Sequence, residues 1–221
     1  MKNFIDHVKN LDLQPKIFFD IGSGYGIEGI NFLEAFDNCI GFAFECNPVC
    51  SDVIEKNIMK SSVKDRITLI KKAVWNENIQ HKFYPINKEK TITVHKDGNP
   101  GASSMFIANG KYNAIETYIQ DEINVECIRL DDFCKNNNIE TVDVLWVDLQ
   151  GAEYQAFLGF GNYLENVKII HTELEMNPIY KGQSLFSDVH PFLSNLGFNL
   201  VKGNMSLAWF DNFIYINSRY I

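Results

Sequence analysis

The chain has 221 residues, of which 46% are hydrophobic and 22% are charged, a composition typical of one globular domain with a hydrophobic core. Acidic residues outnumber basic residues by 28 to 20, and the formal net charge of −8 disfavours nucleic acids and anionic lipids as partners. The chain has no apolar run near the roughly 18 residues of a membrane span and no N-terminal hydrophobic stretch for secretion. We therefore expect a cytoplasmic protein with no membrane or nucleic-acid partner, whose five scattered cysteines are reduced thiols.

The first third of the chain alternates between helical and strand-like patterns. Apolar residues at helical spacing precede Pro15, and a short apolar stretch after it runs into a cluster of glycines. Asn47 followed by Pro48 is a favourable helix start. The patterns predict, in order, a helix within 1–14, a strand over 17–21, a helix over 27–36, a strand over 39–45, a helix over 48–58 and a strand over 67–74.

The composition changes over residues 76–124, where polar residues interrupt short strand-like pieces and predict an insertion. Beyond it the alternation resumes. The patterns there predict a strand over 125–130, a helix over 131–137, a strand over 142–147, a helix from 151, a strand over 167–175, a helix over 184–196, and strands over 198–202 and 212–217.

Together these elements predict a single α/β domain over residues 1–221. Strands that alternate with helices form a mostly parallel sheet covered by helices on both faces. The last two strands have no helix between them and should therefore be antiparallel. In such sheets the ligand binds beyond the carboxyl ends of the strands, near the point where the strand order reverses.

The first predicted strand runs into the glycine-rich segment Asp20-Ile-Gly22-Ser-Gly24-Tyr-Gly26. Glycines permit positive φ angles and let backbone amides approach a ligand at the start of a helix. Residues 24–29 also match the GxGxxG pattern, which leaves an NAD-dependent oxidoreductase open as an alternative. However, Asp20 and Glu28, with no lysine or arginine nearby, suit a cation better than a pyrophosphate. S-adenosylmethionine (SAM) carries a sulfonium and an ammonium group and no phosphate, so we expect SAM as the cofactor.

Residues at the ends of the second and third predicted strands complete the expected cofactor site. Glu45 follows a buried apolar stretch, where a carboxylate can accept hydrogen bonds from both ribose hydroxyls. Ala73 and Val74 end the third strand and would flank an adenine ring, or serve only as core packing.

Eight short motifs follow one another along the chain: DIGSGYG, GFAFECNP, KKAVW, GASSMF, IRLDDF, LWVDLQGAE, HTELE and NPIYKGQSLF. This ordered set resembles the FkbM family of SAM-dependent methyltransferases from about Pro15 to the C-terminus. The resemblance implies the Rossmann-like fold of class I methyltransferases, with a mostly parallel seven-stranded sheet and the insertion before its fourth strand. It also implies O-methylation of a hydroxyl group on a sugar, a glycan or a related small molecule.

The resemblance also assigns roles to individual residues. It implies that Asp20, Gly22 and Gly24 line the methionine end of the cofactor, with Ser23 between them. Glu45 then binds the ribose, and Asp148 borders both cofactor and substrate. Many members have a lysine and a glutamate where this chain has Trp146 and Gln150, so the roles of those two family residues do not transfer.

Candidate catalytic residues lie at the ends of the later strands. Methyl transfer is an in-line displacement, so the protein must align a hydroxyl with the sulfonium and remove or share its proton. Asp148 follows the strand over 142–147, and Glu173 and Glu175 close the strand over 167–175. We predict Asp148 as the base or orienting group, then Glu173, with Glu175 as a further candidate. His171 shares their face and is expected to be a core residue.

Several alternatives remain open. The converging carboxylates could hold Mg²⁺, which would lower the pKa of an alcohol, or they could cap helices and bind water. Asn177-Pro-Ile-Tyr180 resembles the (D/N)PPY tract of enzymes that methylate amines, although it follows the fifth strand of the sheet instead of the fourth. A non-catalytic binding module that keeps the fold is a third possibility. The segment Gly101–Phe106 within the insertion is expected to be a lid or a wall of the acceptor site.

Overall fold

The structure is a computed structural model that describes residues 1–112, 116–206 and 209–220. The helices are α1 (Lys2–Asn10), α2 (Ile27–Ala35), α3 (Pro48–Lys60), α4 (Leu130–Asn136), α5 (Glu153–Phe160) and α6 (Phe186–Asn195). The strands are β1 (Ile17–Ile21), β2 (Ile40–Phe44), β3 (Ile67–Ile70), β4 (Ala73–Val74), β5 (Gln80–Phe83), β6 (Lys111–Tyr112), β7 (Glu116–Thr117), β8 (Ile123–Ile128), β9 (Val144–Val147), β10 (Ile169–Glu175), β11 (Phe198–Lys202) and β12 (Phe210–Asn217). Short 3₁₀ helices cover Pro100–Ala102, Gly161–Asn166 and Ser218–Tyr220.

Seven strands form the central sheet in the order β11-β12-β10-β9-β1-β2-β3. The paired strands are parallel, except that β12 runs antiparallel to both β10 and β11. The insertion precedes β9, which is the fourth strand of this sheet in chain order. The strand order reverses between β1 and β9, so the carboxyl ends of these strands border a crevice. The predicted fold class is confirmed.

The two faces of the sheet carry separate hydrophobic cores, because successive strand residues point to opposite faces. Phe18 of β1 and Val144 of β9 pack in the core that includes buried residues of α1, α2 and α3. Their neighbours Phe19 and Leu145 pack in the core that includes α4, α5 and α6. Helices therefore cover both faces, as expected for a mostly parallel sheet.

The predicted strand over 67–74 is wrong as one element. The chain leaves the central sheet after Ile70, where the Lys72 amide donates to the Ile70 carbonyl at 2.9 Å. The Lys71 and Lys72 side chains form ion pairs with Glu55 and Glu126. After this break, β4 pairs with β8 instead of continuing β3. The strand predicted over 125–130 corresponds to β8, which belongs to this smaller sheet of β4, β8 and β5.

The insertion packs against loops that follow β9 and β10. Met105 of the insertion belongs to a cluster that includes Ala152, just before α5. Ile86 and Ala108 belong to a second cluster that includes Tyr180, after β10. Since both loops follow carboxyl ends of strands, the insertion covers the edge of the sheet where ligands bind. Within the described ranges, no helix combines the length and the apolar character needed to cross a bilayer.

Candidate active site

A cavity of about 420 Å³ opens at the carboxyl ends of β1, β2 and β9. Every residue that the sequence analysis assigned to cofactor binding lines this cavity: Asp20, Gly22, Ser23, Gly24, Glu45, Ala73 and Asp148. Gly101, Ser103 and Met105 of the insertion close its other side. The structure thus brings together residues that are up to 128 positions apart in the sequence.

Gly22 allows the loops after β1 and β9 to approach each other. It adopts a φ of +78°, which favours glycine. A Cβ at this position would lie 1.8 Å from the carbonyl oxygen of Asp148. The amides of Gly22 and Ser23 both donate to the Phe44 carbonyl at 3.0 Å, which fixes the loop against the end of β2.

Asp20 is buried at the base of the cavity. Its Oδ2 accepts hydrogen bonds from the Ser23 hydroxyl at 2.5 Å and the Gly29 amide at 3.1 Å. Its Oδ1 has no hydrogen-bond partner among the described residues. Burial raises the pKa of Asp20 to about 7, because an uncompensated carboxylate is costly in a low-dielectric site. An ammonium or sulfonium ion would supply the missing counter-charge.

Glu45 lies at the end of β2 and faces the same cavity. Its Oε2 accepts from the Gly24 amide at 2.8 Å, and its Oε1 accepts from the Asn47 amide at 2.7 Å. These bonds hold the carboxylate in one orientation, and each oxygen keeps acceptor capacity for a ribose hydroxyl. Burial raises the pKa of Glu45 to about 7.

The charge of the cavity fits SAM better than a dinucleotide. Asp20, Glu28, Glu45 and Asp148 all line it. Lys72 also lines it but is paired with Glu126. The amide of Gly29, the last glycine of the GxGxxG match, donates to Asp20 and so is not offered to a phosphate. A pyrophosphate would meet these carboxylates without a matching cluster of cations.

A second cavity of about 450 Å³ adjoins the first, and both are lined by Gly101, Asp148 and Gln150. Its walls come from the insertion, from β10 and from the turn after β10. The remaining polar residues that line it are His95, Asn99, Glu116, Tyr118, Glu173 and Tyr180. Glu173 and the turn ending at Tyr180 were candidates from the sequence. Four residues were not: His95, Asn99, Glu116 and Tyr118. No local pattern marks residues that only tertiary packing brings to a site.

Gln150 connects the two candidate catalytic carboxylates. Its Nε2 donates to Asp148 Oδ1 at 2.7 Å and to Glu173 Oε1 at 2.9 Å. Its Oε1 lies 3.0 Å from the Tyr180 hydroxyl, whose single proton is shared between this acceptor and the Ala102 carbonyl at 2.8 Å. Gln150 has a φ of +52°, a conformation that is costly for a residue with a side chain. The loop thus has a strained backbone conformation at Gln150, and this conformation places the amide between the two acids.

The carboxylates beside Gln150 have perturbed acidities. Burial raises the pKa of Asp148 to about 6, and the hydrogen bond from Gln150 opposes this rise. Burial, followed by the nearby charge of Asp148, raises the pKa of Glu173 well above its ordinary value. Two acids in this arrangement favour one shared proton over two full charges.

The possible Mg²⁺ site is not supported. Within residues 1–112, 116–206 and 209–220, no group of three or more histidine, cysteine, aspartate or glutamate side chains is arranged to hold a metal ion. The position between Asp148 and Glu173 that a cation would take is occupied by the Gln150 amide. The two carboxylates are thus bridged by a neutral hydrogen-bond donor.

Glu175 and His171, two other residues that the sequence singled out, are buried and line neither cavity. The Glu175 side chain is 1% exposed, and its Oε2 has no hydrogen-bond partner among the described residues. His171 is buried and stacks on Trp146 with a centroid separation of 3.4 Å. Burial lowers the pKa of His171 to about 3, so it is a neutral residue of the core.

The tract Asn177–Tyr180 does not present both of its polar ends to one cavity. Tyr180 is fully buried and lines the second cavity, whereas Asn177 is exposed. The amides of Ile179 and Tyr180 donate to the Gln183 side chain at 2.6 and 2.5 Å. The tract therefore forms a turn that fixes Tyr180 against the insertion.

Comparisons with known proteins place the chain among methyltransferases. The Methyltransferase FkbM domain model matches residues 20–200. The 2-O-methyltransferase NoeI of Sinorhizobium fredii is 28% identical over 180 residues, which are 80% of this chain and 70% of that protein. The methyltransferase sdnD of Sordaria araneosa is 23% identical over 233 residues, covering 98% of this chain and 86% of that protein.

Solved structures share the fold. A methyltransferase FkbM from Methylobacillus flagellatus KT superposes with a TM-score of 0.55 at 10% identity, covering 90% of this chain and 44% of that one. The Methanococcus jannaschii fibrillarin pre-rRNA processing protein gives a TM-score of 0.51 at 12% identity, covering 93% and 67% of the two chains. At these identities the likeness concerns the fold alone. With the family model matching most of its length, the chain belongs to the FkbM family of methyltransferases.

Proposed function

We propose that the protein transfers the methyl group of SAM to a hydroxyl of a sugar, a glycan or a related small molecule. One observation carries this proposal: Asp148 lines both the cavity that suits SAM and the adjoining second cavity. A carboxylate at the junction of two cavities is placed to act on an acceptor in one and a donor in the other.

The first cavity supplies the groups that SAM requires. SAM, when bound, provides a methyl group on a positively charged sulfur. The free Oδ1 of Asp20 is available to a cation, and Glu45 is oriented for the ribose diol. Ala73 and Val74 supply an apolar wall for the adenine ring. These positions support the proposed roles of Asp20, Glu45 and Ala73.

Asp148 is the proposed base. Gln150 donates to its Oδ1, while its Oδ2 accepts no hydrogen bond from the described residues and can receive the acceptor's proton. With a pKa of about 6, Asp148 is mostly ionised at neutral pH yet basic enough to share a proton in the transition state. Glu173 carries a proton beside Asp148, and its hydrogen bond from the Gln150 amide helps to orient Asp148. We give Glu175 no part in proton transfer, because it lies outside the two cavities.

A hydroxyl acceptor is favoured over an amine. The relative NoeI is named a 2-O-methyltransferase, and the tract that would hold an amine here does not converge on one cavity. A hydroxyl acceptor must also lose its proton to a base, and Asp148 can supply that base. An amine acceptor instead needs a lone pair that is not engaged in another hydrogen bond. The acidic surface, with its net charge of −8, matches a small-molecule or glycan acceptor better than a nucleic acid.

The test has two stages. Isothermal titration with S-adenosylhomocysteine against NAD establishes the cofactor, and we expect binding of the former alone. Methyl-labelled SAM is then incubated with a panel of free sugars, glycans and nucleotide sugars, and the position of the label is determined. Label on oxygen supports the proposal. Binding of NAD alone, or label on nitrogen only, would contradict it.

A further inference from the structure

The wall of the second cavity contains a carboxylate that the proposed reaction does not use. Glu116, at the start of β7, accepts at Oε1 from the Thr93 hydroxyl at 2.7 Å and at Oε2 from the Tyr118 hydroxyl at 2.8 Å. The Asn99 amide donates in turn to the Tyr118 oxygen at 3.2 Å. These hydrogen bonds from residues of the insertion hold Glu116 in a fixed position.

Glu116 is a permanent negative charge near neutral pH. The residue is only 6% exposed, and this burial by itself raises its pKa. The hydrogen bonds from Thr93 and Tyr118 outweigh burial and lower the pKa below its ordinary value. His95 Nε2 lies 4.0 Å from Oε1 on the exposed side. Asp148 and Glu173 differ from Glu116 in this respect, because burial raises their pKa values and favours a bound proton.

Among the described residues that line the second cavity, Glu116 and Asp148 carry negative charge, and none is a lysine or an arginine. Glu173 adds a carboxyl group whose raised pKa favours a bound proton. A phosphate or carboxylate on the acceptor would approach these groups in a partly desolvated site, where like charges repel strongly. Hydroxyl groups, in contrast, find neutral partners: the oxygens of Gln150 and Tyr180 keep acceptor capacity, and the Asn99 amide can donate or accept.

We propose that the second cavity takes an uncharged polyol and discriminates against acceptors bearing a phosphate or carboxylate, and that Glu116 is the residue that determines this specificity. The inference rests on the proposed O-methyl transfer and narrows its substrate class. Glu116 neither contacts the transferred methyl group nor accepts its proton in this scheme. Its effect is exerted by a charge held at a fixed place in the cavity wall.

The test compares matched acceptors that differ in charge. Glucose, mannose and N-acetylglucosamine are each assayed beside their 6-phosphates, and glucose also beside glucuronic acid. The ratio of kcat/KM for the uncharged and the anionic member is measured for the natural chain, for Glu116→Gln and for Glu122→Gln. Glu122 is an exposed insertion residue paired with Lys82, so its variant removes one charge outside the cavity.

We expect a ratio of at least tenfold in favour of the uncharged acceptor for the natural chain and for Glu122→Gln. Glu116→Gln should lower that ratio at least threefold. His95→Lys supplies a second variant at a side chain that is 54% exposed, and its added positive charge should lower the ratio in the same direction. This variant preserves the test if Glu116→Gln destabilises the fold.

Binding provides a readout that does not depend on turnover. Glucose 6-phosphate is titrated into the S-adenosylhomocysteine-loaded protein and followed by ³¹P NMR. Weaker binding to the natural chain than to Glu116→Gln or His95→Lys supports the inference, and equal or tighter binding to the natural chain overturns it. A preference for anionic acceptors in turnover also overturns it while leaving O-methylation intact. Failure to bind S-adenosylhomocysteine would instead contradict the proposed function itself.

Discussion

The Gln150 amide lies 2.7 Å from Asp148 and donates a hydrogen bond to it, with Glu173 accepting a second hydrogen bond from the same nitrogen at 2.9 Å. The group that orients the proposed base, Asp148, is therefore an uncharged amide. A second acid at position 150 would add negative charge beside Asp148, whereas the amide offers two hydrogens and offsets repulsion between two carboxylates. Burial raises the pKa of Asp148 to about 6, and the hydrogen bond from Gln150 opposes a further rise.

Replacing this amide by an acid should change the pH dependence of catalysis. Gln150→Glu removes both donated hydrogen bonds and adds a carboxyl group, so we expect the pKa of Asp148 to rise. The acid limb of the kcat profile should move to higher pH by about one unit, with roughly a fivefold loss of kcat at pH 6. Gln14→Glu, at an exposed position, is the matched control. An unchanged profile for Gln150→Glu would remove Gln150 from the mechanism.

The two carboxylates beside Gln150 should differ in their importance for turnover. Asp148→Asn removes the proposed base but keeps a similar shape, so kcat should fall by about 10² or more while the Kd for S-adenosylhomocysteine changes less than threefold. Glu173→Gln should cost about tenfold, since Glu173 only orients the pair. Steady-state kinetics and calorimetry on both variants distinguish these roles. Full activity of Asp148→Asn would show that another group accepts the proton.

Cofactor affinity should depend on pH near neutrality. The pKa of Asp20 is about 7 in the ligand-free protein, and a cation beside it favours the ionised form, so binding releases a proton. The affinity for SAM should therefore fall as the pH decreases, by about tenfold between pH 8 and pH 6 for one such group. Glu45, with a similar pKa, acts in the same direction.

The variant Asp20→Asn tests the assignment of this effect. It should bind SAM more weakly at pH 8 and lose part of the pH dependence, whereas Asp65→Asn, at an exposed position, should behave as the natural chain. Calorimetry in buffers of different ionisation enthalpy also counts the protons released. Affinity independent of pH in the natural chain would contradict a cation site at Asp20.

Two glycines of the first loop should respond differently to alanine. Gly22→Ala forces a Cβ to within 1.8 Å of the Asp148 carbonyl at a φ of +78°, so we expect it to lower the free energy of unfolding by more than about 3 kcal/mol. Gly24 has a φ of +55° and no atom within 4 Å of an added Cβ. Gly24→Ala should therefore cost only about 1 kcal/mol. Denaturant unfolding measures both, and equal costs would contradict the close approach at Gly22.

The order of elements and the first cavity were accessible from the sequence because they depend on local patterns. Asp20 lies near the end of β1, and Gly22 and Glu45 directly follow β1 and β2. The carboxyl ends of adjacent parallel strands share one edge of the sheet. The predicted strand over 67–74 is divided in the structure, because Lys71 and Lys72 separate two apolar stretches that local pattern alone does not tell apart from one strand. The pairing of β4 with β8, whose partner residues lie 54 positions later in the sequence, decides where the chain turns.

Tertiary structure decided most of the second cavity, for which the sequence indicated only Asp148, Glu173, the segment Gly101–Phe106 and the turn ending at Tyr180. Glu116 and Tyr118 lie in an insertion whose sequence shows only short strand-like pieces, and they reach the cavity through contacts such as the bridge between Ala108 and Tyr180. In the sequence, Gln150 is recognisable only as a departure from the family pattern. Its role as a bridge depends on Asp148, which follows β9, and on Glu173 of β10. The proposed cofactor residues are thus specified by local pattern and parallel pairing, whereas the proposed acceptor residues are specified by long-range packing, which sequence spacing does not record.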